Sequence, residues 1–231
     1  MKEFWLSEKA SRVFEIANAE QKTIQPYVAE LIEQINPKTL LDYGCGDSFI
    51  SRLINKNIEI GLYDINMIEA QKAAQHLVDR NCKLFNAPDE IYNNYYDCII
   101  FSFVLICLAS KEEFEFILQN FKKYKTKDGK LITITTHPCF RQYEYRPFFS
   151  EYAVNKQFNY FNNCEPFELF LRDDEKEPVQ FTDYHWTLSE TINTLVNNGF
   201  CLEKILEIPD FTFDKIPCNQ FYPPFLILIC K

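Results

Sequence analysis

Apolar positions along this chain recur with two alternating periods. Over residues 7–35, Val13, Ile16, Ala17, Ile24, Val28, Leu31, Ile32 and Ile35 keep the 3.6-residue spacing of a helix face. Pro26 predicts a break that splits this stretch into two helices. The short apolar run 39–43 predicts a strand, and it ends in the tight turn Gly44-Cys45-Gly46. Asp47 and Ser48 stand where they would cap a helix over 49–55. The alternation continues with a strand over 58–63, ending at Asp64. A helix follows, capped by Asn66 and running through Ala73, Ala74 and Leu77, and then a strand over 82–85. Residues 96–103 are almost continuously apolar, as in a strand covered on both faces. A helix is expected over 111–124, a turn at Asp128-Gly129 and a strand over 130–136. The rhythm closes with a helix over 189–198, stopped at Gly199, and strands over 200–208 and 225–230. Helix and strand in alternation predict an α/β fold with a largely parallel sheet.

Residues 138–186 interrupt the pattern. They hold four prolines and a high density of aromatic residues, among them Phe140, Tyr143, Phe148, Phe158 and Phe167. We read this as an insertion in a single domain spanning 1–231, with residues 1–38 as N-terminal helices. At under ~50 residues the insertion is too small to hold a core of its own.

Composition narrows the partners. The 231 residues are 47% apolar and 25% charged, enough to bury a core, and the formal net charge is −9 with a pI of about 5.0. A protein that neutralises many phosphates needs clustered Lys and Arg, so neither nucleic acid nor an anionic membrane is expected as a partner. The first residues contain no apolar core of a secretory signal, and no run approaches a membrane span. The nine cysteines are scattered, none in C-x-x-C, and no histidine pair has zinc spacing. No metal is therefore expected, and reduced thiols in a cytoplasmic protein are the simplest reading.

The turn 42–48 carries the sharpest chemical signal. A glycine pair directly after a buried strand lets the backbone approach a ligand closely. Asp64, after the second strand, lies 18 residues beyond Gly46, where a carboxylate can accept both hydroxyls of a ribose. A dinucleotide loop would carry a third glycine at position 49, which is Phe49, and no Gly-Lys-Ser/Thr ending exists for a phosphate loop. Asp42 and Asp47 would repel a pyrophosphate and attract a cation. S-adenosylmethionine bears a sulfonium, an ammonium and no phosphate, so electrostatics favour it over a nicotinamide dinucleotide. A ligand-free β–α turn is the competing reading.

With these residues in place, the chain from about Leu40 onward resembles the class I S-adenosylmethionine-dependent methyltransferases. Leu40-Leu41-Asp42-Tyr43-Gly44-Cys45-Gly46 is similar to the family's L-D-x-G-C-G loop, with Ser48 at its third glycine. The resemblance implies a doubly wound, Rossmann-like seven-stranded sheet, mostly parallel with an antiparallel last strand and helices on both faces. It implies that Asp42, Gly44 and Gly46 meet the methionine part of the cofactor, Asp64 the ribose, and Ile65, Asn86 and Ala87 the adenine. Ser102 and Phe103, at the end of the fourth strand, complete the cofactor set. S-adenosylhomocysteine would be the product.

Segments 136–140 and 184–189 resemble paired segments of a subgroup acting on small molecules. A small-molecule acceptor is thus implied, methylated on oxygen, nitrogen or carbon. His137 and His185 are the expected acid–base residues, with Tyr184, Phe140 and Tyr143 expected to bind substrate. The alternative is a catalytically degenerate cofactor-binding module that acts through a protein partner. Nothing in the sequence sets an oligomeric state.

Overall fold

The computed structural model describes residues 2–20, 24–144, 148–173, 176–209 and 221–231. Its strands are β1 (Thr39–Tyr43), β2 (Glu59–Tyr63), β3 (Cys82–Leu84), β4 (Tyr96–Ser102), β5 (Lys125–Thr136), β6 (Phe148–Ser150), β7 (Glu165–Asp173), β8 (Lys176–His185), β9 (Leu202–Ile208) and β10 (Phe225–Cys230). The helices are α1 (Lys2–Trp5), α2 (Glu8–Glu20), α3 (Ile24–Ile35), α4 (Phe49–Leu53), α5 (Met67–His76), α6 (Lys111–Tyr124), α7 (Glu151–Val154) and α8 (Leu188–Asn197).

Seven strands form one sheet in the order β3-β2-β1-β4-β5-β10-β9. β1 through β5 are parallel, and β10 runs antiparallel between β5 and β9. Period-2 alternation sends successive side chains to opposite faces, and both faces are apolar. Leu40, Ile60, Cys98, Ile100, Ile132 and Ile227 pack under α3, α4 and α5. Leu41, Ile99, Phe101, Leu131, Leu226 and Leu228 pack under α6 and α8. That double cover explains why residues 96–103 read as an almost continuous apolar run. Strand order reverses between β1 and β4, so the chain leaves the sheet in opposite directions there. The crevice this opens at the strands' carboxyl ends is where doubly wound folds bind ligands.

Three local expectations change. Pro26 does not break a helix: it sits in the first turn of α3, where a missing N–H costs nothing. Asp128-Gly129 lies within β5, in a bulge where the pairing with β4 jumps from Tyr96↔Lys125 to Cys98↔Lys130. Ser48 does not cap α4 through its side chain: it is buried, in the left-handed region at φ 56°, with an unpartnered hydroxyl. The Asp47 carboxylate instead accepts from the Phe49 N–H. Asn66 does cap α5, accepting from the N–H groups of Ile68 and Glu69.

The aromatic insertion forms a second, antiparallel sheet in the order β6-β7-β8. Its inner face of Phe148, Phe167, Leu169, Leu171 and Phe181 shares a cluster with Val13 of α2 and with Phe4 and Trp5 of α1. The insertion and the N-terminal helices thus complete each other's core.

Candidate functional site

The carboxyl ends of β1, β2, β4 and β5 converge on one cleft. After β1 the chain turns at Gly44 and Gly46, both with positive φ (76° and 49°). A Cβ at Gly44 would run into Val104 Cγ2, and one at Gly46 would lie 2.6 Å from the Phe14 ring, so side chains are excluded from both positions. The Gly46 N–H donates to Asp64 Oδ2 at 2.8 Å, and the Asn66 N–H donates to Oδ1 at 2.7 Å. Two backbone donors therefore hold the Asp64 carboxylate against the loop. Each oxygen keeps lone pairs for further donors.

Beneath the loop, Asp42 is buried and accepts from Ser51 Oγ at 2.6 Å. Burial, with the like charges of Asp64 and Asp47, pushes its carboxyl up to about 7 despite the Ser51 hydrogen bond. Asp47 is paired with Arg52 at 2.7 Å.

The cleft has two lobes that share Trp5, Phe14, Gly44, Ser102 and Phe103 as walls. The larger, of about 340 Å³, is bounded by Tyr63, Asp64, Ile65, Pro88 and Val104. The smaller, of about 140 Å³, is bounded below by Asp42, Gly44, Thr136 and Phe225 and above by Phe148, Leu169, Phe181 and Asp183 of the insertion.

The N-terminal helices roof both lobes. Asn66 Nδ2 donates to the Trp5 carbonyl at 2.6 Å, Ser11 Oγ donates to the Glu69 carboxylate, and Trp5 meets Phe181 edge-on at 5.5 Å.

No protein-family profile matches the chain. Among curated proteins, N-demethylindolmycin N-methyltransferase of Streptomyces griseus is 21% identical over 206 residues, covering 80% of this chain and 79% of its own. A solved S-adenosylmethionine-dependent methyltransferase from Clostridium acetobutylicum superposes with a TM-score of 0.65 at 11% identity, covering 96% of each chain. Another, from Methanosarcina mazei, gives 0.64 at 17% identity over 87% of this chain and 95% of its own. The chain has the class I methyltransferase fold.

On this methyltransferase fold the expected cofactor residues fall at one edge of the sheet. Asp42, Gly44, Asp64, Ile65, Ser102 and Phe103 line the two lobes, and Gly46 is bound to Asp64. Phe103 reaches its place through a left-handed backbone (φ 56°) at the end of β4. Asn86 and Ala87 follow β3 just before Pro88, which lines the larger lobe. Asn86 itself donates to Glu90 from its backbone N–H and its side chain.

The expected acceptor residues fall elsewhere. His137 lines neither lobe. Its Nε2 is 2.9 Å from Glu207 Oε1, and its Nδ1 accepts from the Cys139 N–H at 3.2 Å. Both ring nitrogens are thus engaged, and burial lowers its pKa despite Glu207. His185 is fully buried with Nε2 on the Tyr160 carbonyl at 2.8 Å, and burial brings its pKa down to about 4. Tyr184 lies on the opposite face of β8 from the cleft, in the cluster with Trp186. Phe140 and Tyr143 stack with Tyr222 outside both lobes. The strand ends put these residue types near the cleft, but the side chains of His137, His185 and Tyr184 point into packing and Tyr143 lies half-exposed against Tyr222.

Asp183 was not among the expected residues. It is 1% exposed, lines the smaller lobe, and neither carboxylate oxygen has a hydrogen-bond partner. Burial pushes its carboxyl up to about 7, with Arg141 opposing and Glu168 adding to the shift. A signal existed: Phe181, Asp183 and His185 occupy alternate, inward positions of β8, so an acid falls where a strand's core face requires an apolar side chain. Two further buried polar atoms around the same lobe lack partners, Trp5 Nε1 and Gln25 Oε1.

Proposed function

We propose that this chain is a cytoplasmic S-adenosylmethionine-dependent methyltransferase acting on a small molecule. The observation that carries the reading is the Gly44–Gly46 loop latched to the Asp64 carboxylate at the switch point of the seven-stranded sheet. The donor set suits that cofactor. Asp64 offers acceptor lone pairs to ribose hydroxyls, and Ile65 and Pro88 offer apolar surface to an adenine. Asp42 and Asp47 give the loop a negative field that favours sulfonium and ammonium groups and disfavours pyrophosphate. When bound, the cofactor supplies an electrophilic methyl group whose departing sulfur becomes neutral, so the protein needs no acid for the leaving group. What the chain contributes is placement in a closed cleft, where alignment of reacting atoms dominates.

The Streptomyces relative bears the name of an N-methyltransferase with a small-molecule substrate, which supports a small acceptor here. The narrow, largely apolar lobe under the insertion supports it as well. His137 and His185 are better suited to tie β5 to β9 and to hold the loop at Tyr160 than to exchange protons with a substrate.

Thermal unfolding with S-adenosylhomocysteine tests the reading. At 100 times Kd a native-state ligand adds about 2.7 kcal/mol, a rise of roughly 5–10 °C for a chain of this size. The expected result is that rise in the wild type, its loss in Asp64→Ala, and no rise with a nicotinamide dinucleotide. No shift at saturating ligand contradicts it. A shift without methyl transfer to any small acceptor favours the degenerate module.

A further inference from the structure

Three carboxylates line the smaller lobe, and among the described residues no Lys, Arg or His does. Two of the three are already satisfied: Asp47 pairs with Arg52, and Asp42 accepts from Ser51. Asp183 alone has no partner on either oxygen. A buried carboxylate without hydrogen bonds is costly, and N–H donors are what relieve it. The charge of Arg141, which donates to Thr136 Oγ1 and lies over the Phe167 ring, acts on Asp183 without a hydrogen bond to it. Asp183 comes from the insertion, whereas the other two carboxylates belong to β1 and the loop after it. Its charged neighbours are Arg141 and Glu168, whereas those of Asp42 are Asp64 and Asp47. On the methyltransferase reading the loop faces the cofactor's methionine part, which leaves Asp183, from the insertion, to a second ligand. The rings of Trp5, Phe14, Phe148 and Phe181 around the same lobe suit a cation as well.

We propose that Asp183 binds and deprotonates the methyl acceptor, and that the acceptor is a primary or secondary amine entering as its ammonium form. This rests on the methyltransferase reading above. Burial raises the proton affinity of the carboxylate and lowers that of an ammonium, so the two converge in this lobe. A proton passes from the ammonium nitrogen to a carboxylate oxygen of Asp183. The freed lone pair forms the bond to the methyl carbon as the carbon–sulfur bond breaks, and that bond's electron pair stays on sulfur. The positive charge moves from sulfur to nitrogen, and Asp183 then releases its proton to water.

The test is calorimetric titration of the full-length protein, saturated with S-adenosylhomocysteine. The probes are phenethylamine, N-methylphenethylamine and benzylamine, each set against phenethyl alcohol or benzyl alcohol. The wild type is expected to bind the amines at least about tenfold more tightly than the alcohols. Asp183→Asn, and Asp183→Ser as a second uncharged variant, should lose that preference while keeping the thermal rise with S-adenosylhomocysteine. With labelled S-adenosylmethionine, methylation of the bound amine should fall by roughly a hundredfold or more in both variants. The proposal is overturned if amines bind no better than alcohols, if no amine binds at millimolar concentration, or if the variants keep the preference. It is also overturned if the variants lose the thermal rise as Asp64→Ala does, because Asp183 would then serve the cofactor. Absence of that rise in the wild type itself is a failure of the underlying reading and is seen before any amine is added.

Discussion

At the scale of single residues, the cleft is defined by carboxylates in different settings. Asp64 is held by two backbone donors and open to the larger lobe, whereas Asp42 and Asp183 are buried with pKa values near 7. Both lie above the ordinary 3.8, so the folded state holds their protons more tightly than the unfolded chain does. The stability they contribute is complete below about pH 4 and is lost as pH rises through 7. The ligand-free protein should therefore melt higher at pH 5.5 than at pH 8. Asp183→Asn should flatten that slope by on the order of 2 kcal/mol, or several degrees in Tm. An unchanged slope would show that Asp183 titrates normally.

The approach of Asp64 to the glycine loop was legible in the sequence, because an acid closing the second strand stands at a fixed spacing from the turn that ends the first. Asp183 has no such partner in sequence, and only the alternation of β8 gives it away. The histidines show the same limit. A residue type suited to proton transfer says nothing about where its ring points, and Glu207 and the Tyr160 carbonyl claim those rings.

At the scale of elements, local signals were the most readable. The Asn66 cap, the glycine turn and the double-faced strand β4 follow from a few neighbouring residues. The second sheet was not readable, because dense aromatics blur the period-2 pattern and its core is finished by helices over 100 residues away in sequence. Those helices form a roof. Phe14 fills the space above Gly46, and Trp5 bridges Asn66 and Phe181. Removing such a ring exposes apolar area worth about 1.5–3 kcal/mol when fully buried. Trp5→Ala and Phe14→Ala should each speed S-adenosylhomocysteine release about tenfold or more, with the sheet intact by circular dichroism. Release at the wild-type rate in both would show that the roof does not retain the cofactor.

At the scale of the molecule, two layers divide the work. The seven-stranded sheet supplies the glycine turn and the strand ends that floor the cleft. The insertion and the N-terminal helices close the smaller lobe from the other side. The fold was legible because parallel strands with covered faces impose a strict pattern. The smaller lobe was not, because it arises between segments that meet only in three dimensions.

The most direct measurement is a crystal structure of the full chain with S-adenosylhomocysteine. The account predicts ribose hydroxyls on Asp64, adenine beside Ile65 and Pro88, and the sulfur at the junction of the two lobes, facing the space beneath Asp183. A ligand bound away from Asp64, or a cleft without density at saturating ligand, would contradict it.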